Sequence, residues 1–191
     1  MNRNDTKRRL VEYAAETIGL QGWEQVSIRN LMQGLGLTTG SFYKHFSSKE
    51  SLFAAVAKEM SRDLYEEISP AVQGLIPDQA EQALLAIGKA LSEHSLHDPK
   101  RIEFLFFSPW TRSALEDGTH VFPLLELTKT VIGSIVKDRD LDVPPQILFL
   151  QVWAFLQGFV QLLRQGVITE GDDLMQRTLT ALIASQEKRV R

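Results

Sequence analysis

Cysteine is absent from this chain of 191 residues. A disulfide framework and thiolate catalysis are therefore excluded. No run of residues alternates apolar and polar positions between turn signals, so no strand is expected. The first ten residues, MNRNDTKRRL, are charged and carry no apolar stretch, which is not the pattern of a secretory leader. A soluble cytoplasmic protein is the expectation. There is no internal repeat and no low-complexity segment. Enzyme signatures are also missing: no glycine-rich phosphate loop after a strand, no serine elbow, and no Glu-x-x-His pair of the kind that loads a helical di-iron site. Glu93–His94 and Glu116–His120 both miss that spacing. No enzyme activity and no cofactor are expected.

What is present is globular. Hydrophobic residues make up 43% and charged residues 24%, enough for a sizeable core in one domain or in a small module joined to a larger one. The formal net charge of −3 looks unsuited to nucleic acid, but it is unevenly spread. Residues 1–50 hold seven basic and five acidic side chains, whereas the other 141 hold 14 and 19. The first quarter is thus mildly positive and the rest negative.

Helical spacing runs through the whole chain, and about nine helices are expected. The first spans about Asp5–Leu20, with Leu10, Ala14 and Ile18 on one stripe and Gly22 placed to end it. A short second helix opens at Ser27 and buries Ile28, Leu31 and Met32; Gly34 and Gly36 close it. A third covers about Thr39–His45. A fourth opens in SSKESLF, where Ser47 and Glu50 have capping-box spacing, and continues to about Ser69. Pro70, Gly74 and Pro77 mark a break between a small N-terminal module and a larger helical body. Asp78 and Glu81 repeat the capping-box spacing before a fifth helix that ends near His94. Asp98 and Pro99 start a sixth, which ends before Pro109. A seventh covers about residues 122–139, an eighth runs from Pro144–Pro145 to Gly166, and a ninth spans about 172–186.

Residues 143–163, VPPQILFLQVWAFLQGFVQLL, carry no charge and are long enough to span a bilayer. On a helical wheel, however, Gln146, Gln151, Ala154, Gln157, Gly158, Gln161, Arg164 and Gln165 gather on one side, and Leu148, Phe149, Val152, Trp153, Phe155, Leu156, Phe159, Val160, Leu162 and Leu163 on the other. That segregation reads as a helix of a bundle. The side holding Ala154 and Gly158 allows close approach of a second helix and reads as a seam, here assigned to Gln151, Ala154, Gly158, Gln161 and, on the ninth helix, Leu182.

The most informative stretch is LGLTTGSFYKHF, Leu35–Phe46. Two short helices joined by a glycine-bearing turn form a helix-turn-helix unit. Thr38 stands where an N-cap belongs, its hydroxyl placed to accept from the amide of Ser41, and the third helix would present its positive end to a phosphate. Glycine costs helix stability, so Gly40 in the first turn beside Thr39 implies close approach of something bulky. Phe42 and Phe46, four apart, face the core. Tyr43, Lys44 and His45 then project elsewhere and form a phosphate-gripping set, joined by Lys49 in the next helix. Each of these also reads, taken alone, as an ordinary surface side chain.

Their order is what carries the resemblance. Ala14–Ala15, Gly22–Trp23, Ser27–Ile28–Arg29, Gly36–Leu37–Thr38, Gly40–Ser41–Phe42–Tyr43, His45–Phe46 and Lys49–Glu50 with Leu52 make residues 8–53 resemble the DNA-binding domain of the TetR family of bacterial transcription regulators. The resemblance implies an all-α fold with a helix-turn-helix DNA-binding domain at 1–50 and an effector-binding and dimerisation domain at 51–191. It implies a homodimer on a palindromic double-stranded DNA operator, probed by the third helix in the major groove and released by a small-molecule effector. By position, Thr39 and Gly40 would approach base edges, Ser27, Tyr43, Lys44, His45 and Lys49 would hold phosphates, and Thr38 is counted with them among the DNA-binding residues. One departure is Met32, where a small alanine is usual; with Gln33 and Gly34 beside it, looser packing is expected there.

Aromatic side chains concentrate beyond residue 100. Phe104, Phe107, Trp110, Phe122 and Trp153, with Gln157, are candidate lining for a hydrophobic or aromatic effector, although each ring taken alone reads more readily as core. His94 and His97 share a helical face but lie at a helix end where Asp98 already serves as cap, so no metal site is expected. A DNA-binding adaptor without an effector remains the alternative.

Overall fold

The computed structural model describes residues 3–110, 122–169 and 172–187, and every regular element among them is helical. The helices are α1 (Arg3–Gln21), α2 (Ile28–Gly34), α3 (Thr39–Phe42), α4 (Lys49–Gln73), α5 (Ala80–His97), α6 (Pro99–Phe107), α7 (Pro123–Asp138), α8 (Pro145–Arg164) and α9 (Asp172–Ala184), with a short 3-10 turn at Trp23–Gln25. Two compact units result: residues 1–63 with 98–122, and residues 64–97 with 123–191.

In the first unit, α1 buries Leu10, Ala14 and Ile18 completely, the stripe that its periodicity predicts. Leu31 and Met32 of α2 and Phe42 of α3 complete the inner layer. Met32 is 1% exposed, so the contact expected to be loose is filled by that side chain. The unit recruits α6 from far along the chain. Asp98 caps α6 by accepting the amide of Arg101 at 3.3 Å, with Pro99 in the first turn as its spacing predicts. Arg101 then reaches across to donate to the carbonyl of Met60 on α4, 3.0 Å away.

The fourth helix departs from expectation at both ends. Its cap is Ser48 rather than Ser47: the amides of Ser48 and Ser51 donate to each other's hydroxyls at 3.1 and 3.3 Å. Glu50 is left outside that exchange, and its hydrogen bond with the Ser48 side chain, more than its own backbone amide, holds its carboxyl below the usual range. At the other end α4 runs through Pro70 to Gln73. Proline forfeits one amide bond inside a helix, and here the helix continues past that loss.

The second unit places α5 against α7, α8 and α9. The helices crowd Gly88, where a Cβ would stand 3.0 Å from Cδ2 of Leu156 and closer still to Met175. A side chain here would have to displace Met175 and crowd Leu156. Leu148, Val152, Leu156, Phe159, Val160 and Leu163 form the buried stripe of α8. This helix is long and apolar enough to cross a membrane, yet that stripe is spent on its bundle neighbours. Glu81, expected to serve a cap at Asp78, instead accepts Nε of Arg139 at 2.6 Å. The buried hydroxyls of Ser92 and Thr128 donate to carbonyls one turn back, of Gly88 and Leu124, so neither is left unsatisfied.

Three helices stop by one device. Past α2, the amide of Gly36 bonds the carbonyl of Gln33 and that of Leu37 bonds Met32; Asp140 with Leu141 repeats the pattern after α7, and Gly166 with Val167 after α8. The residue at the corner is left-handed each time, with φ of 67°, 47° and 69°. This is the Schellman arrangement, which returns orphaned carbonyls to amides just past the helix end.

Candidate nucleic-acid interface

The α2–α3 corner is built from the backbone outward. Ser27 is extended, and its hydroxyl accepts the amide of Asn30 at 3.1 Å, capping α2. A hydroxyl that accepts still has its own hydrogen to donate, so the cap leaves Ser27 able to meet a phosphate. At the far end of α2 the Gly36 corner turns the chain directly into Thr38.

Thr38 does not cap α3 as its position suggests. Its carbonyl accepts the Ser41 amide at 2.9 Å, and its hydroxyl makes no cap bond. The third helix is also shorter than expected: α-helical geometry ends at Phe42, and Tyr43–His45 form a turn. A helix of four residues sums few peptide dipoles, so side chains and single amides, rather than a macrodipole, must supply most of the attraction for anions.

Thr38, Thr39 and Gly40 are all exposed. A Cβ added at Gly40 would meet nothing nearer than the Thr38 hydroxyl at 4.0 Å. The fold itself does not need glycine there. Beneath this corner Phe42 and Phe46 are 0% and 5% exposed, with ring centroids 5.8 Å apart, the inward pair that their spacing predicts. Tyr43 rests edge-on against Phe42 at 5.2 Å and keeps 59% of its surface exposed. Lys44 is exposed and His45 half-buried. Lys49 lies in the first turn of α4, where the helix dipole opposes a cation. Its Nζ sits 5.0 Å from the centre of the Phe53 ring, whose face offsets part of that cost. Lys7 stands likewise 5.5 Å above Phe46. The corner thus joins exposed hydroxyls and bare backbone to lysines seated on aromatic faces.

The six candidate effector residues are divided between the two units. Phe104 packs on Phe53 at 5.6 Å in the first unit. Trp110 meets Phe53 at 5.4 Å and Trp23 at 6.3 Å, both edge-on. Phe107 is 40% exposed on α6, and Phe122 is buried at 5% where the first unit ends. Trp153 stacks flat on Phe149 at 6.1 Å in the second unit, with Gln157 one turn further along α8. The histidines point to separate partners. His94 lies 3.5 Å from Glu67, and Nδ1 of His97 is 2.8 Å from the carbonyl of Glu93. Among the described residues no three metal-ligating side chains cluster.

Of the seam candidates, Gln151, Ala154 and Gly158 are exposed on α8, while Gln161 and Leu182 are half-buried. Nothing stands within 4 Å of a Cβ built at Gly158. Flanking them, Ile147, Leu150 and Leu162 of α8 are 47%, 59% and 42% exposed, and Leu174 of α9 is 50% exposed. On the wheel Ile147 and Leu150 fall among the glutamines, where the polar neighbours mask them, whereas Leu162 lies at the edge of the apolar side.

Two aromatic relationships also went unread. Trp23 and Trp110 lie 87 positions apart, and no local pattern pairs them. Tyr13 lies against Gly34, and the only signal was a glycine inside a short helix with no turn to make.

Comparison with known proteins agrees with this geometry. The family model described as bacterial regulatory proteins, tetR family, matches residues 10–56, from Leu10 in α1 to Val56 in α4. The chain is 30% identical over 169 residues to the HTH-type transcriptional repressor Rv1474c of Mycobacterium tuberculosis, spanning 84% of this chain and 83% of that one. It is 26% identical over 174 residues to the HTH-type transcriptional repressor AcnR of Corynebacterium efficiens, spanning 87% and 86%. Its fold is similar to that of RolR in complex with resorcinol, with a TM-score of 0.69 at 18% identity over 97% of this chain and 89% of that one. Relatives of this kind are regulators, not enzymes. The chain belongs to the TetR family of helix-turn-helix, DNA-binding transcriptional regulators.

Proposed function

We propose that the protein is a homodimeric repressor that holds a palindromic operator through two α2–α3 corners and releases it when a small, hydrophobic or aromatic molecule binds the helical body. The observation that carries the DNA half is the exposed Thr38–Thr39–Gly40 corner, bare of any packing need for glycine and flanked by Tyr43, Lys44 and Lys49. In this reading Thr39 and Gly40 meet base edges, with Thr38 beside them. Ser27, Tyr43, Lys44, His45 and Lys49 hold phosphates, which fix register rather than sequence.

The dimer half rests on the strip of α8 and α9 that joins Gln151, Ala154, Gly158 and Gln161 to Leu182. Small residues let helices approach closely, and the exposed Ile147, Leu150, Leu162 and Leu174 beside them offer apolar area to bury. A homodimer presents its two reading corners about one helical turn of DNA apart, which requires a palindrome. RolR carries resorcinol, and this chain shares its fold; an effector of the same broad chemistry is proposed here, with Trp153 and Gln157 as its candidates in the second unit, while Phe104 and Trp110 serve the aromatic core of the first. Residues 1–50 then carry the DNA contacts, with α6 and Trp110 packed in the same compact unit, and effector binding and dimerisation fall to the rest of residues 51–191, in the cytoplasm.

Sedimentation with a bound duplex tests the assembly. Two chains per duplex are expected, and Ala154→Glu with Gly158→Glu should give a monomer that binds more weakly. A double variant that stays dimeric would exclude this seam. Titration of the complex with small phenols and other aromatic compounds tests release; if none alters DNA affinity, the effector-free adaptor takes its place.

A further inference from the structure

Gly34 and Gly36 stand two residues apart and are glycine for opposite reasons. Gly36 has φ of 67° and nothing within 4 Å of a built Cβ, so its backbone needs glycine and its surroundings do not. Gly34 is absent from the positive-φ positions and lies inside α2, so its backbone would accept any residue. Its surroundings would have to give way. A Cβ at Gly34 would lie 2.6 Å from Cζ and 2.7 Å from Cε1 of Tyr13, and nearer still to the hydroxyl oxygen. The ring of Tyr13, on α1, occupies the space that any side chain at 34 would take.

The place where this occurs gives it a consequence. Gly34 is the last residue of α2. The Schellman corner follows at once, with Gly36 bonded to Gln33 and Leu37 to Met32, and Thr38 comes next. The chain between Gly34 and Thr38 therefore has little freedom of its own. Whatever fixes the end of α2 against α1 also fixes where the exposed Thr38–Gly40 corner begins. Met32, two residues earlier and so on the opposite side of the helix, holds α2 from within, while the half-buried Tyr13 bears on the exposed Gly34.

We propose that Tyr13 is a positioning residue: its ring, seated on the bare backbone of Gly34, sets the placement of the α2–α3 corner and through it the sequence discrimination of the reading head. The last step rests on the DNA reading given above.

A double-substitution cycle on the full chain tests this, using Gly34→Ala, Tyr13→Ala and the pair. Alanine is the better helix former, so with nothing in the way Gly34→Ala raises the unfolding temperature. With the tyrosine present the opposite is expected: Gly34→Ala lowers it. With Tyr13→Ala in place the same change should raise it, a reversal of sign that independent sites do not produce. Gly34→Ala should also lose roughly tenfold in affinity for the duplex that the wild type selects, with a change of less than about threefold on a scrambled duplex, and the pair should recover most of that loss. Gly34→Ala raising the unfolding temperature in both backgrounds would overturn the proposal, since the ring would then be free to swing aside. Equal losses on selected and scrambled duplexes would also overturn it, because they would mark a role in stability alone. If the wild type selects no duplex, the DNA reading fails, and the sign reversal still decides whether Tyr13 seats α2.

Discussion

The indole of Trp110 meets that of Trp23 edge-on, with ring centroids 6.3 Å apart and planes at 84°. One residue follows α6 and the other opens the turn between α1 and α2, so the core of the reading head includes a segment beyond α5. Phe53 of α4 bridges to both Trp110 and Phe104, and this aromatic cluster lies within a single compact unit.

Removing Trp110 should therefore loosen the head. Trp110→Ala is expected to cost about 2–4 kcal/mol, below the top of the range for buried aromatics because the residue is only half-buried. Its indole Nε1 is buried without a hydrogen-bond partner, so Trp110→Phe gives up little polar interaction and should cost less than about 1.5 kcal/mol. Urea unfolding followed by circular dichroism measures both. Equal losses for the two variants would mean that the cluster is not what Trp110 contributes.

Two glycines in the helical body should respond to alanine in opposite directions. Gly88 is closed in by Leu156 and Met175, and Gly88→Ala should destabilise by about 1–3 kcal/mol through overpacking. Gly133, on α7, has nothing within 4 Å of a built Cβ, and Gly133→Ala should stabilise by about 0.5–1 kcal/mol from helix propensity. Thermal unfolding of the two variants side by side is the check, and matching signs would contradict the packing described for α5.

Positioning and specifying contacts at the DNA corner should separate in their salt dependence. Lys49→Ala should weaken binding to all duplexes alike and lower the slope of log affinity against log salt by roughly one. An unchanged slope would remove Lys49 from the phosphate set and leave it as a partner of the Phe53 ring alone. Substitutions of Thr39 should instead shift preference at one base pair, by roughly 1–3 kcal/mol. Selection of an unaltered motif would place Thr39 away from the bases.

Much of the fold was legible because its signals are local. The stripe of Leu10, Ala14 and Ile18, the Asp98–Pro99 start and the Gly166 stop each lie within a turn or two of the structure they specify, and all three are found where the spacing places them. The inward pair Phe42 and Phe46 was legible for the same reason. What escaped depends on residues that meet only after folding. Ser51 outcompeted Glu50 as the reciprocal partner in the cap of α4, a choice between two adjacent candidates that spacing cannot rank. Continuation of α4 through Pro70 was invisible because a proline reads as a stop wherever tertiary packing is unknown. Looser packing was expected at Met32, yet it is buried, because the neighbours that fill its surroundings are set by the fold and not by adjacent sequence. At the candidate site the residue types and their order were readable, whereas the backbone bond at Thr38 and the early end of α3 were not.

Selection of bound duplexes from a random pool at roughly physiological salt tests the central claim most directly, because binding driven by phosphates alone is weakened there. An inverted repeat, its halves centred about one helical turn apart, is the result expected from two Thr38–Gly40 corners presented by a dimer. No enriched motif from a protein shown to be folded would contradict the account, and would mean that the α2–α3 corner does not read sequence.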